Sequence, residues 1–285
     1  MFDKLLDFAP EIPIAEWTTD FTDWLTSAFS FLFTPIKEHF GNFMEFSSDL
    51  LMKVPPIFII LIVALIFFFI TGKRIGLAIF SIVGLWLIYN QGYWDHLIST
   101  FTLVLIASLL SVIIGVPIGI LMSKSRIAEA IIQPILDFMQ TMPAFVYLIP
   151  AVAFFGIGMV PGVFASLIFA TPPTVRFTNL GIRQVSEELV EASEAFGSTG
   201  SQKLFKVELP MAKDTIMAGI NQTVMLALSM VVIASMIGAP GLGREVLSAL
   251  QRAQVGTGFV AGIGIVILAI IIDRVTQNMN SKKEG

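Results

Sequence analysis

FMQTMPAFVYLIPAVAFFGIGMVPGVFASLIFATPPTV, residues 138–175, contains no Lys, Arg, Asp or Glu. A bilayer core about 30 Å thick needs roughly 20 apolar residues at 1.5 Å rise, so this window is nearly twice the length of one crossing. Its middle, Phe155-Gly156-Ile157-Gly158-Met159-Val160-Pro161-Gly162, clusters the glycine and proline that reverse a chain. The window therefore predicts two membrane helices joined by a tight turn. It sets the fold class as all-α, a polytopic transmembrane helical bundle.

Five more windows are free of ionisable side chains: Val54–Gly72, Ile75–Trp94, Leu97–Ser123, Thr215–Gly243 and Ala253–Ile272. Together they predict about seven spans, near residues 55–72, 75–92, 97–123, 138–157, 162–180, 215–238 and 256–273. Composition agrees. Of the 285 residues 55% are hydrophobic and 13% charged, against about 25% charged in soluble domains. The absence of cysteine excludes disulfide and thiol chemistry. His39 and His96 stand far apart without partners at metal-ligand spacing, and read as interfacial polar residues; no metal is assigned. No basic stripe interleaved with aromatics supports a nucleic-acid partner.

Positive charge is retained on the cytoplasmic side of a membrane. With seven spans, twelve of the 17 Lys and Arg residues fall on one side and five on the other. This bias puts the N-terminus outside and the C-terminus in the cytoplasm. Residues 1–53 hold nine acids (Asp3, Asp7, Glu11, Glu16, Asp20, Asp23, Glu38, Glu45 and Asp49) against Lys4, Lys37 and Lys53. The start lacks the basic region and short apolar core of a cleaved signal, so retention is expected. Trp17, Phe21, Trp24, Leu25, Ala28, Leu32, Ile36, Phe40 and Phe43 recur mostly at three- and four-residue steps, a helical period. Such a segment lies along the membrane surface, packs on the other spans, or is a scaffold helix without a separate role. The expected organisation is an acidic amphipathic segment (1–54), two accessory helices (55–92), a five-span domain (93–275) and a tail (276–285).

The longest cytoplasmic loop, about residues 181–214, is polar and carries Glu191-Ala192-Ser193, then three residues, Gly197, nine residues, and Val207-Glu208-Leu209-Pro210. Glycine accepts left-handed backbone angles, so a short helix ending at Gly197 turns sharply there. Small Ala192 and Ser193 let that helix seat closely in a partner's groove, and Glu191 caps it or pairs with a basic residue. Pro210 is expected to begin the following helix, where a missing N–H does no harm.

This spacing resembles the EAA signature of ABC importer permeases, with Ser193 for the second alanine and Val207 for the usual isoleucine. The resemblance covers roughly residues 93–275, the permease domain of the type I ABC importers. Gly115-Val116-Pro117-Ile118-Gly119, residues 136–147, Glu194-Ala195-Phe196-Gly197-Ser198 and residues 237–243 look like the glycine betaine, proline betaine and carnitine permeases. It implies a coupling loop formed by Glu191, Ala192, Ser193, Gly197, Val207, Leu209 and Pro210. The partners it implies are a second permease copy, two cytoplasmic ATP-binding subunits, an extracellular substrate-binding protein and membrane lipid. Transport would proceed by alternating access, in a bacterial cytoplasmic membrane, with ATP and Mg used by the partner ATPase. This chain has no Gly-x-x-x-x-Gly-Lys-Ser/Thr phosphate loop, so it is expected to bind no cofactor and to be a translocation subunit without enzyme activity.

Polar side chains within spans are costly unless they face partners or a wet cavity. That makes Gln140, Thr141, Asn221, Gln222, Thr223 and Ser229 candidates for the substrate path, against the alternative of helix–helix hydrogen bonding. Pro143 should loosen its helix where Gln140 and Thr141 occur, freeing carbonyls for a ligand. Tyr147, with Phe145 and Phe138, offers aromatic faces to a quaternary ammonium. A proton-coupled carrier usually needs an ionisable relay inside the membrane, and only Asp137 and Asp273 approach one, at span ends. A permease for another small amino acid or osmolyte, and a sodium-coupled secondary transporter, remain the alternatives.

Overall fold

The computed structural model describes residues 13–70 and 75–281, and every regular element among them is helical. Lys4, Asp3, Asp7, Glu11, Lys73, Arg74, Lys282 and Lys283, all counted above, lie outside the described residues. In chain order the helices are α1 (Ile14–Ala28), α2 (Ser30–Lys53), α3 (Pro56–Ile70), α4 (Ile75–Asn90), α5 (Trp94–Lys124) and α6 (Arg126–Thr141). After a 3₁₀ turn at Ala144–Tyr147 come α7 (Leu148–Phe155), α8 (Met159–Arg183) and α9 (Glu187–Ala195). The continuous α10 (Gly200–Ser235), α11 (Leu242–Gln251) and α12 (Val255–Ser281) complete the chain.

Among the described residues three helices, α5, α10 and α12, are each long and apolar enough to cross a membrane, or five spans exist if each bent pair counts as one. The pairs are α2 with α3, bent by 91°, and α6 with α7, bent by 109°. The described parts of α3 and α4 run 15 and 16 residues, up to and from residues 71–74, which lie outside the described residues. The expected span at 138–157 is broken. Its first residues end the amphipathic α6, its middle is the 3₁₀ turn, and α7 adds eight residues. Proline explains the break, since Pro143 supplies no N–H to continue α6. The reversal that follows matches the sequence reading. Gly156 and Gly158 take φ of +76° and +130° between α7 and α8.

α8 is the centre of the bundle, packed between α5 and α10. Thr171, Pro172, Pro173 and Thr174 make it less apolar than its neighbours, yet all four are buried. Protein on both sides, rather than lipid, is its solvent. Small residues permit the approach. A Cβ at Gly119 would lie 2.6 Å from the Val175 carbonyl oxygen and 2.5 Å from Thr178 Cβ, and one at Gly219 of α10 would lie 2.5 Å from Phe177 Cβ. Thr174 and Thr223 join α8 to α10 through a 2.7 Å hydroxyl contact. Outward faces differ sharply in chemistry. α3 exposes Phe58, Leu61, Ile62, Leu65 and Phe69, side chains suited to lipid.

The N-terminal segment divides between the roles expected for it. α2 packs on the bundle, stacking Phe33 on Phe154 at 4.8 Å and setting Phe40 5.5 Å from Phe164. α1 buries no residue and exposes Trp17, Phe21 and Trp24. Its Thr18, Thr19, Thr22 and Thr26 hydroxyls donate back to carbonyls four residues earlier. Those hydroxyls need no water, which lowers the cost of an interfacial position.

Candidate functional site

The loop between α8 and α10 forms a hook at one end of the bundle. α9 buries no residue. Gly197, at φ +77°, closes it: its N–H donates to the Glu194 carbonyl at 2.8 Å and the Ser198 N–H donates to the Ser193 carbonyl at 3.1 Å. These paired bonds define a Schellman stop, which needs a left-handed residue at this place. Lys203, at the root of α10, pairs with Glu194 and holds the two arms together. This bond, more than the attraction of the charges, keeps the Glu194 carboxyl below its ordinary value of 4.5. Glu191 and Ala192 face solvent and Ser193 is half-buried. Phe196, at the tip, is 92% exposed.

Pro210 does not begin the next helix. Thr199 does, as the cap of α10, accepting from the Gln202 N–H at 3.3 Å while the Gln202 side chain accepts from the Thr199 N–H at 2.9 Å. This capping box was visible in the sequence as Thr-x-x-Gln. Pro210 instead follows a π-helical turn at Leu204–Glu208, where the Leu209 N–H reaches back to the Leu204 carbonyl. A wider turn accommodates a residue with no N–H to give. Leu204 and Leu209 pack at this root against Ile182, Ala212 and Ile216, and Val207 is half-buried beside them.

Two polar anchors tie the hook to the junction of α5 and α6. Ser125 ends α5 and caps α6, accepting from the Ala128 N–H at 3.2 Å. From the exit of the loop, Glu208, only 4% exposed, pairs with Lys124. From its entrance, Arg183 donates to the Met122 carbonyl at 3.0 Å and to Glu129 at 2.7 Å. Asn179 supports both, at 3.0 Å from Arg183 and 3.3 Å from Glu129. Sequence spacing gave no sign of these contacts, because the partners stand between 50 and 84 residues apart.

The expected path residues separate into two groups. Asn221 is engaged in the bundle: its amide donates to Asp273 at 3.0 Å and accepts from Thr276 at 2.7 Å, joining α10 to α12. Thr223 is likewise taken by Thr174. Tyr147, expected to offer an aromatic face, is 4% exposed, with its ring on Phe169 and its hydroxyl donating to the Met139 carbonyl. That carbonyl is the one Pro143 leaves without a helical donor, so the freed oxygen has a partner within the protein. The second group is open. Gln140, Thr141, Pro143, Phe138 and Phe145 line the exposed break, while Gln222 and Ser229 lie on an exposed stripe of α10. The break packs on Met230 and Ile233 of α10 and on Ile237 just past its end, which brings the two regions together. Arg176 engages Asp137 on α6, so that carboxylate is ion-paired.

Comparison with known proteins gives this architecture a context. The chain is 61% identical over 278 residues, 97% of its length and 98% of the other, to the glycine betaine/carnitine transport permease protein GbuB of Listeria monocytogenes. It is 51% identical over 280 residues, 98% of its length and 99% of the other, to the glycine betaine transport system permease protein OpuAB of Bacillus subtilis. Among solved structures, an inward-facing form of the MetNI methionine ABC transporter superposes with a TM-score of 0.57 at 23% identity, over 68% of this chain and 94% of that one. That likeness is one of fold. Residues 115–284, which contain the glycine-packed centre, the hook and both anchors, match one family throughout: this chain belongs to the binding-protein-dependent transport system inner membrane components.

Proposed function

We propose that this chain is the membrane-spanning permease subunit of an ATP-binding-cassette importer for glycine betaine or a related quaternary amine such as carnitine, proline betaine or choline. One observation carries the reading. A helix with no buried residue, ended by a left-handed glycine at the EAA spacing and tipped by an exposed Phe196, stands at the end of the bundle where a partner can grip it. The partner is an ATPase subunit on the cytoplasmic side, which uses ATP and Mg; this chain binds neither and catalyses no reaction. The relatives named above are transport permeases for such amines, and a quaternary ammonium suits the exposed rings of Phe138 and Phe145 beside Gln140 and Thr141.

A second copy of the chain completes the path. α10 exposes Asp214, Ala218, Gln222, Met225 and Ser229 at three- and four-residue steps, where α3 exposes only large apolar side chains. Polar groups on a membrane helix avoid lipid, so this stripe faces a twin subunit and the wet passage between them. Lys124, Arg126, Arg183, Lys203, Lys206 and Lys213 gather around the hook, which supports a cytoplasmic loop and C-terminus with the N-terminus outside. A binding protein delivers the substrate from that outer side.

Substrate-stimulated ATP hydrolysis by the chain co-purified with its ATPase and binding subunits tests the assignment. Stimulation by betaine or carnitine is expected; no response to any quaternary amine would refute the substrate class. A reporter fused to the N-terminus should be accessible from outside.

A further inference from the structure

We infer that the α5–α6 elbow, Met122 to Glu129, is the point at which movement of the coupling loop enters the transport path, and that Lys124 and Glu208 are its positioning pair. The inference rests on the reading of α9 as the coupling element. Both stems of the loop end on this elbow: Arg183 at the entrance holds Met122 and Glu129, and Glu208 at the exit holds Lys124. Glu208 also ends the π turn, a wide turn of the kind often found at functional hinges. Removing one partner of a buried ion pair leaves the other without compensation, and Lys124 is the partner that Glu208 has here.

α6 carries the movement onward. It is a 16-residue helix, about 24 Å long at 1.5 Å per residue, and of its side chains only Leu136 is fully buried. It runs directly from the elbow to the break at Thr141 and Pro143, where the open path residues lie. Its far end is tied to α8 through Asp137 and Arg176. A helix gripped at one end by the loop and ending at the path is a lever. Displacing Lys124, at the very end of α5, moves the Gln140–Pro143 break through α6 rather than through the close-packed α5–α8–α10 centre.

The test is the number of ATP molecules hydrolysed per substrate transported by the complete importer in lipid vesicles. Lys124→Met and Glu208→Gln should each raise this ratio about tenfold, within the range usual for coupling between two sites. Lys124→Arg should leave it near the parent value. Since the two act as one unit, the Lys124→Met/Glu208→Gln double variant should be no more uncoupled than either single variant. Unchanged ratios, or additive effects in the double variant, overturn the inference. Should Glu208→Gln fail to assemble, the two Lys124 variants decide it, because that side chain is partly exposed. The chain has no cysteine, so Ile135→Cys on the exposed face of α6 reports the lever directly. Its thiol reactivity should change on ATP binding in the parent and not in Lys124→Met; no change in the parent overturns the lever. Gly197→Val separates the two readings. If it leaves transport intact, the coupling role of α9 falls and the relay with it; if it abolishes transport while Lys124→Met keeps a normal ratio, the relay alone falls.

Discussion

Replacing Gly197 by alanine isolates one physical term. A Cβ built there meets nothing within 4 Å, so the methyl group costs no packing. What remains is the backbone, because φ is +77° and an L-residue in the left-handed region pays about 1–2 kcal/mol. That amount changes a local equilibrium by a factor of about 5 to 30. It acts on a helix that buries no residue, so the Schellman stop has little to resist it, and the hook loses its fixed direction while the bundle is untouched. Uptake of labelled glycine betaine by proteoliposomes holding the assembled importer should fall about fivefold or more in Gly197→Ala, by the same estimate. Gly197→Asn should lie closer to the parent, since asparagine tolerates left-handed angles best among the other residues. Thermal unfolding of the chain in detergent should be unchanged in both. Equal activity in the alanine and asparagine variants, or a loss of thermal stability matching the loss of uptake, would refute the reasoning.

Gly119→Ala tests the opposite case, since its methyl would enter the α5–α8 contact 2.6 Å from a backbone oxygen. A destabilisation of about 1–3 kcal/mol is expected, as for overpacked cores, and is read as a lowered midpoint of thermal unfolding. Tyr147→Phe leaves the Met139 carbonyl without its donor, at a cost of about 1–3 kcal/mol for an unsatisfied buried acceptor; faster hydrogen exchange around 138–147 would report it. The Glu194–Lys203 bond gives a pH signature. Because the folded carboxyl titrates below its ordinary value of 4.5, the contribution to loop order is complete above that value and is lost as pH falls through the lowered one. Exchange of the amides in 187–203, corrected for intrinsic rates, should rise in that acid range, and Glu194→Gln should remove the acid limb.

Features that depend on a single residue's backbone were legible in the sequence. The glycine pair at 156 and 158 marked the reversal, Gly197 marked the end of the loop helix, and Pro143 marked a loosened turn where the chain in fact breaks. Windows defined by the absence of charge misjudged what flanked them. Asp137 truncated the window that begins at Phe138, which hid α6, an amphipathic helix that starts back at Arg126. Arg244 and Glu245 likewise concealed α11, although Leu242, Val246 and Ala249 carry its helical period. Residue preference alone puts a helix start at Pro210, and the capping box at Thr199 outweighs that preference. The elbow contacts were beyond reach for another reason. A carboxylate such as Glu208 reads as solvated until the fold brings Lys124 beside it, and helix periodicity says nothing about partners 84 residues away.

The glycines of the α5–α8–α10 centre limit how this chain can move. With Gly119 against the Val175 backbone and Gly219 against the Pro173 carbonyl, α8 is keyed into both neighbours. Turning it about its own axis would drive Thr178 or Phe177 into a main chain that has no room to yield. Around these contacts the three helices must therefore travel as one block, like a piston whose faces never part. Whatever opens and closes has to be found beyond them, at the helix ends, in the broken helix and in the glycine turns.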